Sequence, residues 1–112
     1  GGELNTWMAG LACGEVSLLA WEILSVGIDD FVTIDEASVA PCMRLLASGQ
    51  YGDQKLVAGE SAVAGVGVLL AASQSKSYAK ALNVGRESRV LVIGTEGATD
   101  PDLYSDIMAG RV

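Results

Sequence analysis

Hydrophobic and polar positions along the chain follow two periods in turn, one helical and one of short β-branched runs. The opening stretch L-N-T-W-M-A-G-L-A-C-G-E offers Asn5 and Thr6 as caps for a short turn, and Gly10 and Gly14 mark a backbone bend before Val16 to Leu24 takes up helical spacing. F-V-T-I, ending at Ile34, predicts a strand. Asp35 to Leu46 follows with a helix start signal and apolar residues at Val39, Met43 and Leu46. The same step recurs when K-L-V-A-G, a second strand, gives way to the helix E-S-A-V-A-G-V-G-V-L-L-A-A-S. A third strand, R-V-L-V-I, leads to a helix with Asp100 as N-cap, Pro101 at the first helical position and Met108 near its end. Ser73 to Ser88 reads as a helix end and a surface loop.

Three strand-then-helix units in series predict an α/β fold, a small parallel sheet with flanking helices, because parallel neighbours need crossover connections. Gly65 and Gly67 each weaken a helix by about 1 kcal/mol relative to alanine, so they predict close approach by a neighbouring element. Ligands of such sheets sit beyond the carboxyl ends of the strands. Those ends carry Gly59, Glu60 and Ser61 in one loop and Gly94 to Asp100 in another. The second loop, G-T-E-G-A-T-D, holds more polar detail than a turn requires.

Composition narrows the function. A formal charge of -7 and an isoelectric point near 4.3 argue against phosphate backbones and anionic lipid, so neither nucleic acid nor a membrane is an expected partner. With 50% apolar residues, 19% charged and a mean hydropathy of +0.37, a chain of 112 residues cannot hide all its aliphatic surface, and some of it is expected to meet another subunit or further polypeptide. The longest run without a polar side chain, Ala62 to Ala72, spans 11 residues. That is short of the roughly 20 a membrane helix requires. No leader pattern opens the chain, and Cys13 and Cys42 are too few for a disulfide scaffold, which makes a reducing cytoplasm the expected compartment. Without histidine or a C-x-x-C pair, no zinc site or histidine triad can be assembled, and no metal site is expected.

Plain structural readings cover many of the remaining candidates. Glu60 and Ser61 suit a helix cap with a charge favourable to the helix dipole, and Thr95, Glu96, Thr99 and Asp100 suit a capped turn. The glycines around Thr95 and Glu96 also leave room for backbone to approach a planar ligand. Ser73 with Lys76, and Ser77 with Lys80, match S-x-x-K by coincidence, having no companion motif. Cys13 is expected to be a small buried residue, Trp7 and Trp21 packing residues, and Asp29, Asp30, Asp35 and Glu36 solvated surface.

Three motifs in order, M-A-G-L-A-C-G-E, G-E-S-A-V-A-G-V-G and G-T-E-G-A-T-D-P-D-L-Y, resemble the C-terminal part of the diaminopropionate ammonia-lyase family, over essentially the whole chain. This family is one of the fold-type II pyridoxal-phosphate enzymes, alongside threonine dehydratase and the tryptophan synthase β subunit. The resemblance implies that residues 1–112 form the C-terminal part of the large pyridoxal-phosphate-binding domain of a longer enzyme. It implies an activity that eliminates ammonia from 2,3-diaminopropionate to give pyruvate. It also implies an amino-acid substrate, the rest of the same enzyme as partner, and a homodimer.

Carried over residue by residue, the resemblance puts Gly10 and Glu60 near the cofactor ring. Gly94 falls where the superfamily presents a serine or threonine hydroxyl to the pyridine nitrogen, and Thr95, one position on, is the substitute donor. The Schiff-base lysine and the phosphate-cradling loop match no residues here, and Lys55, Lys76 and Lys80 correspond to no family lysine. No catalytic residue is therefore expected in the chain, which on this reading is inactive alone. A serine or threonine dehydratase-type enzyme, or a non-catalytic regulatory or interaction module, are the alternative readings.

Overall fold

The structure, a computed structural model, describes residues 3–51 and 54–112. Among the described residues, five α-helices follow one another as Leu18–Gly27 (α1), Val39–Ser48 (α2), Ala64–Gln74 (α3), Lys76–Ala81 (α4) and Pro101–Met108 (α5). Single 3-10 turns stand at Ala9–Leu11, Glu36–Ser38 and Glu60–Ala62.

Local chemistry sets most of the helix ends. Ser17 Oγ accepts the Ala20 amide at 3.3 Å to start α1, and Asp100 accepts the Leu103 amide at 2.9 Å to start α5, with Pro101 in the first turn where a missing N–H does no harm. Pro41 is tolerated in the first turn of α2 for the same reason, and α2 stops at Gly49, whose φ of 60° a side chain rarely adopts. Helix α4 lies where a surface loop was expected. Ser75 Oγ accepts the Tyr78 amide at 3.3 Å and begins a new helix directly after α3. Its sequence, K-S-Y-A-K-A, is too short and too polar to carry an apolar stripe, so periodicity could not announce it.

The core lies between α2, α5 and the turn before α3. Val39, Cys42 and Met43 of α2 are fully buried with Val63 and with Ile107 of α5, and Met8 packs against the same cluster. Arg44 Nη1 donates to the Ile107 carbonyl at 3.0 Å, which also accepts the Gly110 amide, and so ties α2 to the last turn of α5.

The expected parallel sheet is not formed among the described residues. F-V-T-I, K-L-V-A-G and R-V-L-V-I are assigned no strand. Their backbones have little to pair with: the Leu56 amide goes to Leu46 O and the Gly59 amide to Glu96 O, and neither contact begins a ladder. A strand is defined by its partner, and no ladder joins these segments among the described residues. Two of them nevertheless cross α3 where its glycines allow it. A Cβ on Gly65 would sit 2.8 Å from Val92 Cγ1, and one on Gly67 would sit 3.1 Å from Ile34 Cδ1. The close approach expected at both glycines is therefore made by the two strand-like segments, on opposite sides of the helix.

Much apolar surface stays uncovered. Leu91 is 85% exposed and Ile93 76%, and no residue of α1 is buried although the helix is apolar on nearly every side. Trp7 and Trp21, expected to be packing residues, are exposed, and Trp21 finds only Phe31, with ring centroids 6.3 Å apart. Cys13, expected to be buried, is exposed as well.

Candidate functional site

Three segments far apart in sequence meet at one end of α3. The turn at Gly10, the turn at Gly59–Ala62 and the loop from Gly94 to Thr99 are joined by a short series of hydrogen bonds. The Gly10 amide donates to Ser61 Oγ at 2.9 Å, and the Ser61 amide donates to Glu96 Oε2 at 2.7 Å. The other carboxylate oxygen of Glu96 accepts the Thr99 hydroxyl at 3.2 Å, while its main-chain carbonyl accepts the Gly59 amide at 3.0 Å.

Close approach of the loops depends on glycine at one position above all. A Cβ at Gly59 would lie 2.2 Å from the Gly97 carbonyl oxygen, a contact with backbone that nothing flexible could relieve. At Gly10 a Cβ would come within 2.9 Å of Ser61 Oγ, the atom its own amide is bonded to. Gly94 differs. A Cβ there would meet Ala62 at 3.4 Å and 3.5 Å, ordinary contact, so packing within this chain does not demand glycine.

Glu60 is 5% exposed, and its Oε1 has no hydrogen-bond partner among the described residues. An unpaired buried carboxylate oxygen costs on the order of 1 to 3 kcal/mol or more. Such an atom is open to a water or to a polar group from outside these residues. Thr95 is exposed, and its hydroxyl engages no partner among the described residues, which leaves it free to donate outward.

Gly10, Glu60, Gly94 and Thr95, the four residues expected near a ligand, thus lie in the three segments that meet here. Ser61 and Glu96 were read in the sequence as cap and loop residues, and the structure corrects both. Ser61 caps neither the turn at Glu60–Ala62 nor α3, whose N-terminal residue makes no side-chain cap. Glu36, expected to be solvated with Asp29, Asp30 and Asp35, is half-buried instead: its carboxylate accepts the Thr6 hydroxyl and, at 3.1 Å, the Trp7 amide. It pins the N-terminal lead just before Gly10. The S-x-x-K pairs build nothing, for Ser73 Oγ donates to the Leu70 carbonyl and Ser77 Oγ meets Ser75 Oγ. No cluster of His, Cys, Asp and Glu among the described residues could hold a metal ion.

The fold of the chain is found in an enzyme of known structure. With a TM-score of 0.87 and 38% identity, a solved chain bearing a pyridoxal-phosphate adduct matches 95% of this chain. That protein is the diaminopropionate ammonia lyase of Escherichia coli, in complex with its aminoacrylate–PLP azomethine reaction intermediate. In sequence, the chain is 38% identical over 111 residues to the diaminopropionate ammonia-lyase of Salmonella typhimurium and 39% identical to that of Escherichia coli K12, in each case over 96% of its own length. No family model matches it. By sequence and by fold the chain is a homologue of diaminopropionate ammonia-lyase, and it spans 28% of the length of the relatives it matches.

Proposed function

We propose that the chain is the C-terminal portion of the cofactor-binding domain of a pyridoxal-phosphate-dependent ammonia-lyase, one that converts 2,3-diaminopropionate to pyruvate. The observation that carries this reading is the meeting of all three family motifs through the Gly10–Ser61 and Ser61–Glu96 hydrogen bonds. Motifs separated by some 85 positions in sequence are joined there by polar contacts, which supports their serving one site.

The residues present fit the cofactor. Glu60 Oε1 lacks a partner that a polar ring substituent or substrate group would supply, and the Gly94–Gly97 loop is open enough for a flat ring to lie against its backbone. When bound, pyridoxal phosphate acts as an electron sink for the carbanion formed at the substrate α-carbon. Thr95 would offer the pyridine nitrogen a neutral hydroxyl in place of the one the superfamily carries at the Gly94 position. A neutral donor leaves that nitrogen largely unprotonated, which suits departure of a β substituent over prolonged carbanion storage.

In the complete protein the helices would flank a parallel sheet to which F-V-T-I, K-L-V-A-G and R-V-L-V-I each contribute, with strands from the rest of the polypeptide between them. The exposed faces of Leu91 and Ile93 support this arrangement. No helix among the described residues is long and apolar enough to cross a membrane. A cytoplasmic homodimer is the setting we propose.

Assay of the full-length protein on 2,3-diaminopropionate, serine and threonine tests the reading. Turnover of diaminopropionate with two ammonia released per pyruvate, the ratio that atom balance requires, supports it. Preferred turnover of serine or threonine would move the protein to the dehydratases. The 112-residue chain alone should release no ammonia.

A further inference from the structure

Glu96 touches both sides of Glu60 at once. Its main-chain carbonyl takes the amide of Gly59, and its side-chain carboxylate takes the amide of Ser61, so the two residues flanking Glu60 hang from a single residue of another loop. Through Ser61 Oγ the same hold extends to the amide of Gly10. Thr99 braces the carboxylate from behind, donating to the oxygen that Ser61 does not use. Every member of the candidate ring site is thus joined to Glu96 or lies within two residues of it along the chain.

We propose that Glu96 is the positioning residue of this site: it sets the direction of the Glu60 carboxylate and fixes the distance between the Gly10 turn and the Gly94–Thr95 loop. The inference rests on the reading of the site as a pyridoxal-phosphate site, and adds to it a residue that touches no cofactor. A carboxylate is suited to the task because it accepts at two oxygens and gains strength from its charge. Glutamine can reproduce both contacts, accepting the Ser61 amide with its carbonyl oxygen and donating to the Thr99 hydroxyl with its nitrogen. Aspartate, one methylene shorter, falls short of Ser61.

The test uses the full-length protein with Glu96→Ala, Glu96→Asp and Glu96→Gln, measuring dissociation of pyridoxal phosphate, the absorption maximum of the bound cofactor and amide exchange at Gly59 and Ser61. The alanine and aspartate variants should release the cofactor on the order of 10- to 100-fold more readily, the range expected for loss of a charge-assisted hydrogen bond. They should also shift the absorption maximum and lose protection at Ser61, with glutamine restoring all three towards wild type. A residue that only stabilised the fold would lower the melting temperature while leaving the absorption maximum of the folded fraction unmoved, and that result overturns the proposal. Wild-type affinity and spectrum in both the alanine and aspartate variants overturn it as well. If wild-type protein itself binds no pyridoxal phosphate, the reading of the site fails and takes this proposal with it, an outcome visible before any variant is made. If alanine prevents folding, the aspartate variant, which keeps charge and polarity, decides between these results.

Discussion

Thr95 and Cys42 show how differently two side chains can be exposed to test. The Thr95 hydroxyl is exposed and engages no partner among the described residues, so its removal should leave folding intact and register only in the cofactor. In the complete protein, Thr95→Ala should weaken pyridoxal-phosphate binding by about 0.5 to 1.5 kcal/mol, roughly 2- to 13-fold, and Thr95→Ser should retain most of the affinity. Equilibrium titration at one pH measures this, and an unaffected alanine variant would assign the ring nitrogen to another group such as Glu60. Cys42 is buried, and burial pushes its thiol up from the ordinary range. The folded state therefore favours the neutral thiol. Its contribution to stability is complete below the unfolded thiol value of about 8.5 and is lost as pH rises through the folded one. A thiol reagent near neutral pH should accordingly label exposed Cys13 and spare Cys42 until the chain unfolds; equal labelling of both in native conditions would contradict the burial. At this scale the family motifs singled out Gly10, Glu60, Gly94 and Thr95, which lie in the three segments that meet, but local spacing did not show what joins those segments. The contacts of Glu96, Ser61 and Glu36 were not legible, because a carboxylate that accepts an amide some 35 positions away leaves no trace in local spacing.

Among the elements, α5 is the one most fully written into local sequence. Asp100 and Pro101 specify its start and are each found in the expected role, while Ile107 supplies its buried face. Asp100→Ala should therefore lower stability by about 1 kcal/mol, as loss of an N-cap does, and urea unfolding followed by circular dichroism would report it. Met43→Ala, in the fully buried face of α2, should cost more, about 2 to 5 kcal/mol. Should the two variants unfold at the same denaturant concentration, the core would not lie where α2 meets α5. The strands were the least legible elements, for a physical reason visible at Leu91 and Ile93. A β-branched run states that a segment suits a sheet, but ladder pairing depends on neighbours the chain does not provide. Helix propensity needs no such neighbour. That asymmetry explains why α1, α2, α3 and α5 emerged from periodicity while R-V-L-V-I remained a strand only in composition.

The whole molecule exposes 8431 Å², whereas a folded monomer of 11.5 kDa is expected to expose about 5,800 Å². Its radius of gyration, 15.1 Å, likewise exceeds the roughly 13 Å of a compact domain of this length. Large apolar residues contribute to the excess, with Leu18 82% and Val26 86% exposed on α1 and Leu91 85% exposed in R-V-L-V-I. Surface of that kind is stable in water only when covered. The isolated 112-residue chain should therefore self-associate at micromolar concentration and enhance the fluorescence of a hydrophobic dye. Unpaired backbone in its strand-like segments offers a second route to association, since edges that lack a partner pair with other chains. Light scattering across a dilution series, with dye binding measured on the same samples, separates specific association from collapse of the apolar faces onto one another. Charge substitutions at Leu91 and Ile93 should reduce both signals, because they act on the faces expected to be covered in the complete protein. A monodisperse monomer that binds no dye would show instead that α1 and the three segments find cover within the chain, and the reading of these 112 residues as one portion of a larger domain would fall with it.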